Sequence, residues 1–216
     1  MQNFIIALDG ASASGKGTLA KMLSDEFDCN YLPTGNGFRV VAKKFLSSNH
    51  PHPENISLEN IGQIKLDDYY DNSLNSELIG VLASKIATRP DVREFLAKFQ
   101  REWAYSKQKN NIVILEGRDI GTVICPEANV KIFLQASAEA RAKRRYQQLL
   151  LSGAKDSYET ILEKLIERDA RDSSREIAPL KPADDAFIVD NSNLSIEETF
   201  NKIAEHVRNI LKANKN

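Results

Sequence analysis

Phe4-Ile5-Ile6-Ala7-Leu8-Asp9-Gly10-Ala11-Ser12-Ala13-Ser14-Gly15-Lys16-Gly17-Thr18 is the stretch on which the fold turns. Five apolar residues in a row read as a strand buried on both faces. The residues after them are small, polar and glycine-bearing. Gly10 and Gly15-Lys16 satisfy the G-x-x-x-x-G-K spacing of a phosphate-binding loop, or P-loop. The chemistry is direct: a strand ends, small residues let the backbone wrap an anion, and successive N–H groups turn inward. A helix opening near Lys16 aims its positive end at the same place. Gly10, Ala11, Ser12, Ala13, Ser14, Gly15, Lys16, Gly17 and Thr18 are therefore assigned to a nucleoside triphosphate, with Lys16 following the transferring group. The residue after the lysine is Gly17, and the hydroxyl is delayed to Thr18. That departure points to Mg²⁺ held mainly by phosphates and water, with no protein metal ligand assigned.

Outward from this loop, short β-branched or aromatic runs alternate with helix-period segments. Strands are expected at Phe4 to Leu8, near Tyr31-Leu32, and at Ile112 to Leu115, Val130 to Leu134 and Ala186 to Val189. Between them run four apolar stripes. These are Leu19, Met22, Leu23 and Phe27; Val92, Phe95, Leu96, Phe99 and Trp103; Ile161, Leu162, Leu165 and Ile166; and Ile196, Phe200, Ile203, Val207, Ile210 and Leu211. The last helix opens on Ser195 with Glu198 three residues on, a capping box. The alternation predicts an α/β fold with a parallel sheet and helical crossovers. From about Ser47 to Ser76 the rhythm breaks: Pro51, Pro53 and many Asn and Asp predict an inserted lobe or long excursion. A second excursion, about Leu151 to Ser157 around Gly153, joins two charged helices.

The chain has 216 residues, 42% hydrophobic and 27% charged, which excludes disorder and admits a core without staples. Lys and Arg number 29 against 30 Asp and Glu, a formal net charge of -1, so overall basicity gives no argument for nucleic acid as a partner. Cys29 and Cys125 have no metal-ligand spacing and read as reduced, semi-buried thiols. No stretch approaches the length of a membrane span, and no basic segment precedes Phe4 to Leu8. The protein is expected in the cytoplasm, off the membrane.

Local arginines carry more information than the sum. Glu116-Gly117-Arg118-Asp119-Ile120-Gly121-Thr122 lies directly after a strand, at the end of the sheet where ligands gather. Gly-Arg-Asp there offers a guanidinium fork for a phosphate and a carboxylate for an amino group, although a surface Arg–Asp pair capping a turn would use the same residues. In Glu167-Arg168-Asp169-Ala170-Arg171-Asp172-Ser173-Ser174-Arg175, a helix would place Arg168, Asp172 and Arg175 on one face, with Arg171 beside Arg175. A solvated helix end is the alternative. Arg141, Lys143, Arg144 and Arg145 crowd like charges on a third helix, which an anion such as a triphosphate would relieve.

Together GASASGKGT at Gly10 to Thr18, EGRDIGT at Glu116 to Thr122, VKIFLQASAEARAKRR from Val130 to Arg145 and ERDARDSSREIAPLKPADDAFIVDNSNLSIEE from Glu167 to Glu198 resemble the bacterial cytidylate kinases. These form part of the nucleoside-monophosphate kinase branch of P-loop proteins, and the resemblance spans nearly the whole chain. It implies a P-loop NTPase fold: a five-stranded parallel sheet sandwiched by helices, with a monophosphate-binding insert at about 36–95 and a mobile lid at about 145–175 within one domain, 1–216. It implies transfer of the γ-phosphate of ATP to CMP or dCMP. A P-loop kinase for UMP, AMP or a small metabolite, or a nucleotide-responsive binding module, is the alternative, and the chain is expected to be a monomer. By the same resemblance Arg39, Arg118 and Arg175 join Lys16 as catalytic groups and grip the acceptor phosphate. Thr34, Ser84, Arg93 and Asp119 meet the acceptor nucleotide, Arg168 and Asp172 hold its ribose, and Arg144 and Arg145 reach the triphosphate from the lid. Where the family has Asp-Ser-Gly-Ala-x-Tyr-Arg, this chain reads Pro33-Thr34-Gly35-Asn36-Gly37-Phe38-Arg39. The hydroxyl at 34 and Arg39 are kept, whereas the acid and the tyrosine hydroxyl are not. Ala11 stands where proline is usual, and Glu116 where aspartate is common.

Three weaker signals are read as structural. His50-Pro51-His52 is half a metal site without the other half. His206 sits in the final helix, and Trp103 continues an apolar stripe into the core.

Overall fold

The computed structural model describes residues 3–48, 52, 57–151 and 156–214, with Asn60 described by its backbone alone. His50 and Pro51 of the half metal site, Pro53, and Gly153 of the second excursion lie outside the described residues. Seven helices and five strands are described. In chain order they are β1 (Phe4–Gly10), α1 (Lys16–Glu26), β2 (Asn30–Pro33), α2 (Gly35–Ser47), α3 (Glu77–Ile86), α4 (Pro90–Tyr105), β3 (Ile112–Gly117), β4 (Val130–Gln135), α5 (Ala138–Leu151), α6 (Tyr158–Ser173), β5 (Phe187–Asp190) and α7 (Ile196–Ala213). The chain divides into two compact units, Met1–Tyr31 with Lys107–Asn216, and Leu32–Ser106.

The first unit is built on a five-stranded parallel sheet in the order β2-β3-β1-β4-β5. The central strand β1 pairs in parallel with β3, Phe4 opposite Ile112, and with β4, Gly10 opposite Leu134. Every residue from Ile5 to Leu8 is 2% exposed or less, which is why the run is continuously apolar: helices cover both sides and no face needs polar residues. Leu19, Ala20 and Leu23 of α1 and Ile203, Ala204 and Val207 of α7 close one core cluster over Ile6, Leu8, Ile114 and Val189. Each strand begins within a residue of its predicted start and most run one or two residues further. Both thiols are free and buried, deeper than the expected semi-buried state, and burial lifts Cys29 to about 12. Two stripe residues face outward instead of inward: Ile166 at 50% exposure and Ile196 at 42%.

The second unit holds α2, α3, α4 and the excursion. Its described part forms three short 3-10 turns, Leu58–Asn60, Leu66–Tyr70 and Asn72–Asn75. These turns escape a periodicity search because Leu66–Tyr70 and Asn72–Asn75 bury one residue each, Tyr69 and Leu74, and Leu58 of the first turn is only half-buried. Ile61, Ile64, Tyr69 and Leu74 nonetheless fill the same core as Val41, Phe45, Leu82, Val92 and Leu96. Trp103 packs against that core as expected, whereas Phe95 is 36% exposed. No helix among the described residues is long and apolar enough to cross a membrane.

Candidate active site

In the first unit, β1 delivers the chain into the loop at Gly10. Its φ is +149°, and a Cβ there would lie 2.4 Å from the Leu134 carbonyl of β4, so only glycine lets the strand stay paired while it turns. The loop's carbonyls are tied backwards. Lys16 Nζ donates to Ala11 O at 2.6 Å, Arg141 Nη1 to Ser12 O at 3.2 Å, and Asn191 Nδ2 to Ser14 O at 2.9 Å. With these three carbonyls engaged by side chains, the loop's N–H groups suit an anion.

The start of α1 makes the same point. α3, α6 and α7 each open on a serine whose side chain accepts a backbone N–H, with a glutamate in the first turn: Ser76 with Glu77, Ser157 with Glu159, Ser195 with Glu197 and Glu198. α1 opens on Gly15 with no side-chain cap and no acid in its first turn. An anion could therefore take the N–H donors at its start, although α2, which opens on Thr34, likewise has no side-chain cap and no first-turn acid.

Lys16 is 5% exposed. Burial lowers its ammonium to about 8; Glu116 and Asp9 oppose that shift, while Arg118 and Arg168 add to it. The lysine therefore sits in the field of two guanidiniums of its own unit. A bound triphosphate would offset both that repulsion and the desolvation. Glu116 approaches from the end of β3, its Oε2 being 3.8 Å from where a Cβ of Gly17 would stand. A carboxylate beside a residue that lacks the hydroxyl suits a hydrated cation carried in on the phosphates. Among the described residues no group of three or more His, Cys, Asp or Glu is placed to hold a metal by itself.

Asp9, just before the loop, makes a tie that no sequence motif singles out. Its two carboxylate oxygens accept from Ile120 N at 2.9 Å and Gly121 N at 2.8 Å, which fixes the Gly-Arg-Asp loop against the P-loop. Burial raises its pKa to about 7, against the lowering effect of those two N–H groups and of Lys16; the charge of Asp119 adds to the rise. Asp119 is itself 8% exposed and opens a wide turn over Ile120–Ile124, its carbonyl accepting from Val123 N at 2.9 Å.

Three arginines of this unit converge on one carboxylate. Asp172, 1% exposed, accepts from Arg118 Nε at 2.5 Å, pairs with Arg175, and has Arg168 Nε at 3.9 Å. Burial pushes the Asp172 carboxyl up, but Arg118, Arg175 and Arg168 together outweigh it and hold it below the ordinary aspartate value. One part of the expectation needs correcting. α6 ends at Ser173, so Arg175 reaches Asp172 from the bend after the helix and not from a continuing helical face. Three guanidiniums around one carboxylate leave net positive charge, which one monophosphate dianion would balance.

The third arginine cluster also differs from expectation. Arg141, 4% exposed, is neutralised by Asp169 through Nη1 at 3.2 Å and Nη2 at 2.5 Å, so its anion belongs to the protein. Arg144 donates to Asn191 O at 2.5 Å and to Asn191 Oδ1 at 3.2 Å, reaching the P-loop through that asparagine, while Arg145 is exposed. Asn191 lies directly after β5, a position whose only sequence signal is that it ends a strand.

In the second unit, Arg39 of α2 donates to Leu74 O at 2.6 Å and lies against Gly80 of α3, where a Cβ would meet Nη2 at 3.3 Å. Ser84 is one helical turn beyond Gly80, on the same side of α3. Arg93 donates to Ala87 O at 2.9 Å and stands 5.6 Å over the Phe38 ring, a contact that needs the aromatic face and not a hydroxyl. Thr34 is 4% exposed and precedes α2, its carbonyl accepting from Gly37 N at 3.0 Å and Gln100 Nε2 at 3.5 Å.

A family model described as cytidylate kinase matches residues 6–209. The chain belongs to the cytidylate kinase family. The cytidylate kinase of Thermosipho africanus is 44% identical over 212 residues, covering 94% of this chain and 93% of the relative. That of Bartonella henselae is 42% identical over 214 residues, covering 99% and 98%. Among solved structures, shikimate kinase from Bacteroides thetaiotaomicron superposes with a TM-score of 0.52 at 12% identity, covering 96% of this chain and 98% of that one. A protein from Eubacterium ventriosum gives 0.54 at 14%, covering 96% and 99%. Those two likenesses bear on the fold alone, the P-loop kinase fold. A cytidylate kinase is an enzyme, a nucleoside-monophosphate kinase acting on CMP and dCMP.

Proposed function

We propose that Lys16 and the P-loop hold the triphosphate of ATP while the cluster around Asp172 receives the acceptor, and that the γ-phosphoryl group passes to CMP or dCMP. The observation that supports this residue-level reading is the field at Lys16. A second set of guanidiniums, Arg118 and Arg168, stands close enough to lower the pKa of the P-loop lysine, so two polyanions brought there end to end would be neutralised together. The acceptor phosphate has a second pKa near 6 and is already a dianion at neutral pH, so no general base has to deprotonate it. Catalysis then rests on alignment and charge. Mg²⁺, when bound with ATP, would neutralise phosphate oxygens, with Glu116 beside its waters. Arg118 and Arg175 would orient the acceptor phosphate, and Arg168 with Asp172 the ribose. Arg39, Thr34, Ser84 and Arg93 of the second unit take their acceptor roles from the resemblance. The insert at about 36–95, the lid at about 145–175 that Arg144 and Arg145 lead into, a monomeric chain and a cytoplasmic setting belong to the same reading.

An ADP-release assay with CMP, dCMP, UMP and AMP in parallel tests it. Turnover with CMP and dCMP should exceed the others by at least an order of magnitude, and equal or faster turnover with AMP or UMP would overturn the acceptor assignment. Base choice between a 4-amino and a 4-oxo group is assigned to Asp119, which accepts from the first and repels the second. Asp119→Asn should narrow the ratio of kcat/KM for CMP over UMP; an unchanged ratio takes Asp119 out of the base pocket.

A further inference from the structure

Asp9 is 5% exposed near the end of the sheet's central strand, where its backbone is flanked on both sides, opposite Gly117 of β3 and Phe133 of β4. A side chain rooted there has little freedom to follow a loop, so the loop has to follow it. The loop after β3 is a wide turn with two donors left over. Within it Val123 N and Ile124 N both donate to Asp119 O, at 2.9 and 3.1 Å, and Cys125 N donates to Ile120 O at 2.7 Å. Ile120 and Gly121, both buried, stand at its start, where the N–H groups of a helical turn lack partners of their own. Asp9 takes both, one on each carboxylate oxygen. The Lys131 stem also closes on Gly121. A Cβ there would lie 3.2 Å from Lys131 Cγ and Cδ, and the Lys131 ammonium is held by Asp185 at 2.8 Å.

Arg118 and Asp119 are both carried on this loop, but they are not held alike. The Arg118 side chain has a carboxylate of its own, Asp172 on α6. Asp119 is 8% exposed and its carbonyl closes the turn, so its side chain stands where the backbone of the turn stands. We infer that Asp9 is a positioning residue for base choice, setting the place of the Asp119 carboxylate through the Ile120 and Gly121 N–H groups. The inference rests on the assignment of Asp119 to the 4-amino group made above. Charge works in the same direction. Burial raises the Asp9 carboxyl and the charge of Asp119 adds to the rise, so the two carboxylates sense each other, with Lys16 the cation that faces Asp9. A second negative charge near Asp119 favours a hydrogen-bond donor there and disfavours a 4-oxo group.

The ratio of kcat/KM for CMP over UMP tests this, assayed at about pH 8, where a carboxyl with a pKa of about 7 is ionised. Lost stability, or a change at Lys16, acts on both acceptors alike and cancels in that ratio. In Asp9→Asn, whose amide offers one acceptor to two N–H groups, the ratio should fall by at least about five-fold. Asp9→Glu, which retains both oxygens and the charge, should recover part of the fall. When Asp9→Asn is combined with Asp119→Asn, the ratio should lie within about two-fold of that for Asp119→Asn alone, since the first residue acts through the second. A ratio lost in Asp119→Asn but kept in Asp9→Asn overturns the inference and leaves the base assignment standing. A ratio kept in both variants overturns the base assignment and the inference with it. Losses that multiply in the double variant, or a ratio lost in Asp9→Asn only, overturn the route through Asp119. Should Asp9→Asn not fold, Asp9→Ser is assayed in its place, with the same outcomes.

Discussion

At the scale of single residues, the most informative group is Lys16. Its ammonium is lowered to about 8 because it is buried and faces Arg118 and Arg168. The negative charge of a triphosphate offsets both causes, so binding ATP near pH 8.5 should draw a proton onto Lys16. Titrations in two buffers of different ionisation enthalpy should then differ in apparent heat by the uptake of roughly half a proton or more. Lys16→Arg, which stays protonated throughout, should abolish the difference. Gly37 yields a second prediction. A Cβ there would lie 2.6 Å from the Tyr69 hydroxyl and 3.0 Å from its Cζ, inside a core where Tyr69 is stacked on Phe99 at 5.2 Å. Gly37→Ala should lower stability by about 1–3 kcal/mol in chemical denaturation, with partial recovery in combination with Tyr69→Phe. The glycine of Pro33-Thr34-Gly35-Asn36-Gly37-Phe38-Arg39 is thus matched to a tyrosine 32 positions further along the chain, which no local reading could reveal.

At the scale of elements, the strands are legible because each is a local hydrophobic run, and the P-loop because its spacing is a local consequence of how a backbone encloses an anion. The capping box on α7 is legible for the same reason. Ser195 Oγ accepts from Glu198 N at 3.1 Å, and Glu198 Oε2 accepts from Ser195 N at 2.8 Å. Ser195→Ala should cost about 1 kcal/mol by thermal or chemical unfolding, leaving turnover near that of the unaltered enzyme. The ties that hold the loops are hidden. Asp9 to Gly121 spans 112 positions, Arg141 to Ser12 spans 129, and Asn191 to Ser14 spans 177. A hydrogen bond across such a distance leaves no periodicity in the chain. Only charge is visible at Arg141 and Arg144; the residues that hold them, Asp169 and Asn191, come from other elements. The 3-10 turns of the excursion are illegible for a different reason, since each contributes too few buried residues to form a pattern.

At the scale of the molecule, opposed titrations meet around one loop. Asp172 has a lowered carboxyl, so its stabilising contribution is complete above the unfolded value of 3.8 and is lost as pH falls through its folded value. Asp9 behaves oppositely. Its folded pKa, about 7, exceeds the unfolded 3.8, so the folded state holds the extra proton and stability declines as pH climbs between those values. Asp9→Asn should be less stable overall, because its amide can accept from only one of the two N–H groups that the carboxylate serves, and the decline in unfolding free energy between pH 4 and 7 should flatten. Chemical denaturation across that range checks both. The way Ala11, Ser12 and Ser14 have their carbonyls moored has a last consequence. A cradle moored before its guest arrives has little shape left to acquire, so inorganic tripolyphosphate, with no base or sugar to help it, should compete with ATP for this loop.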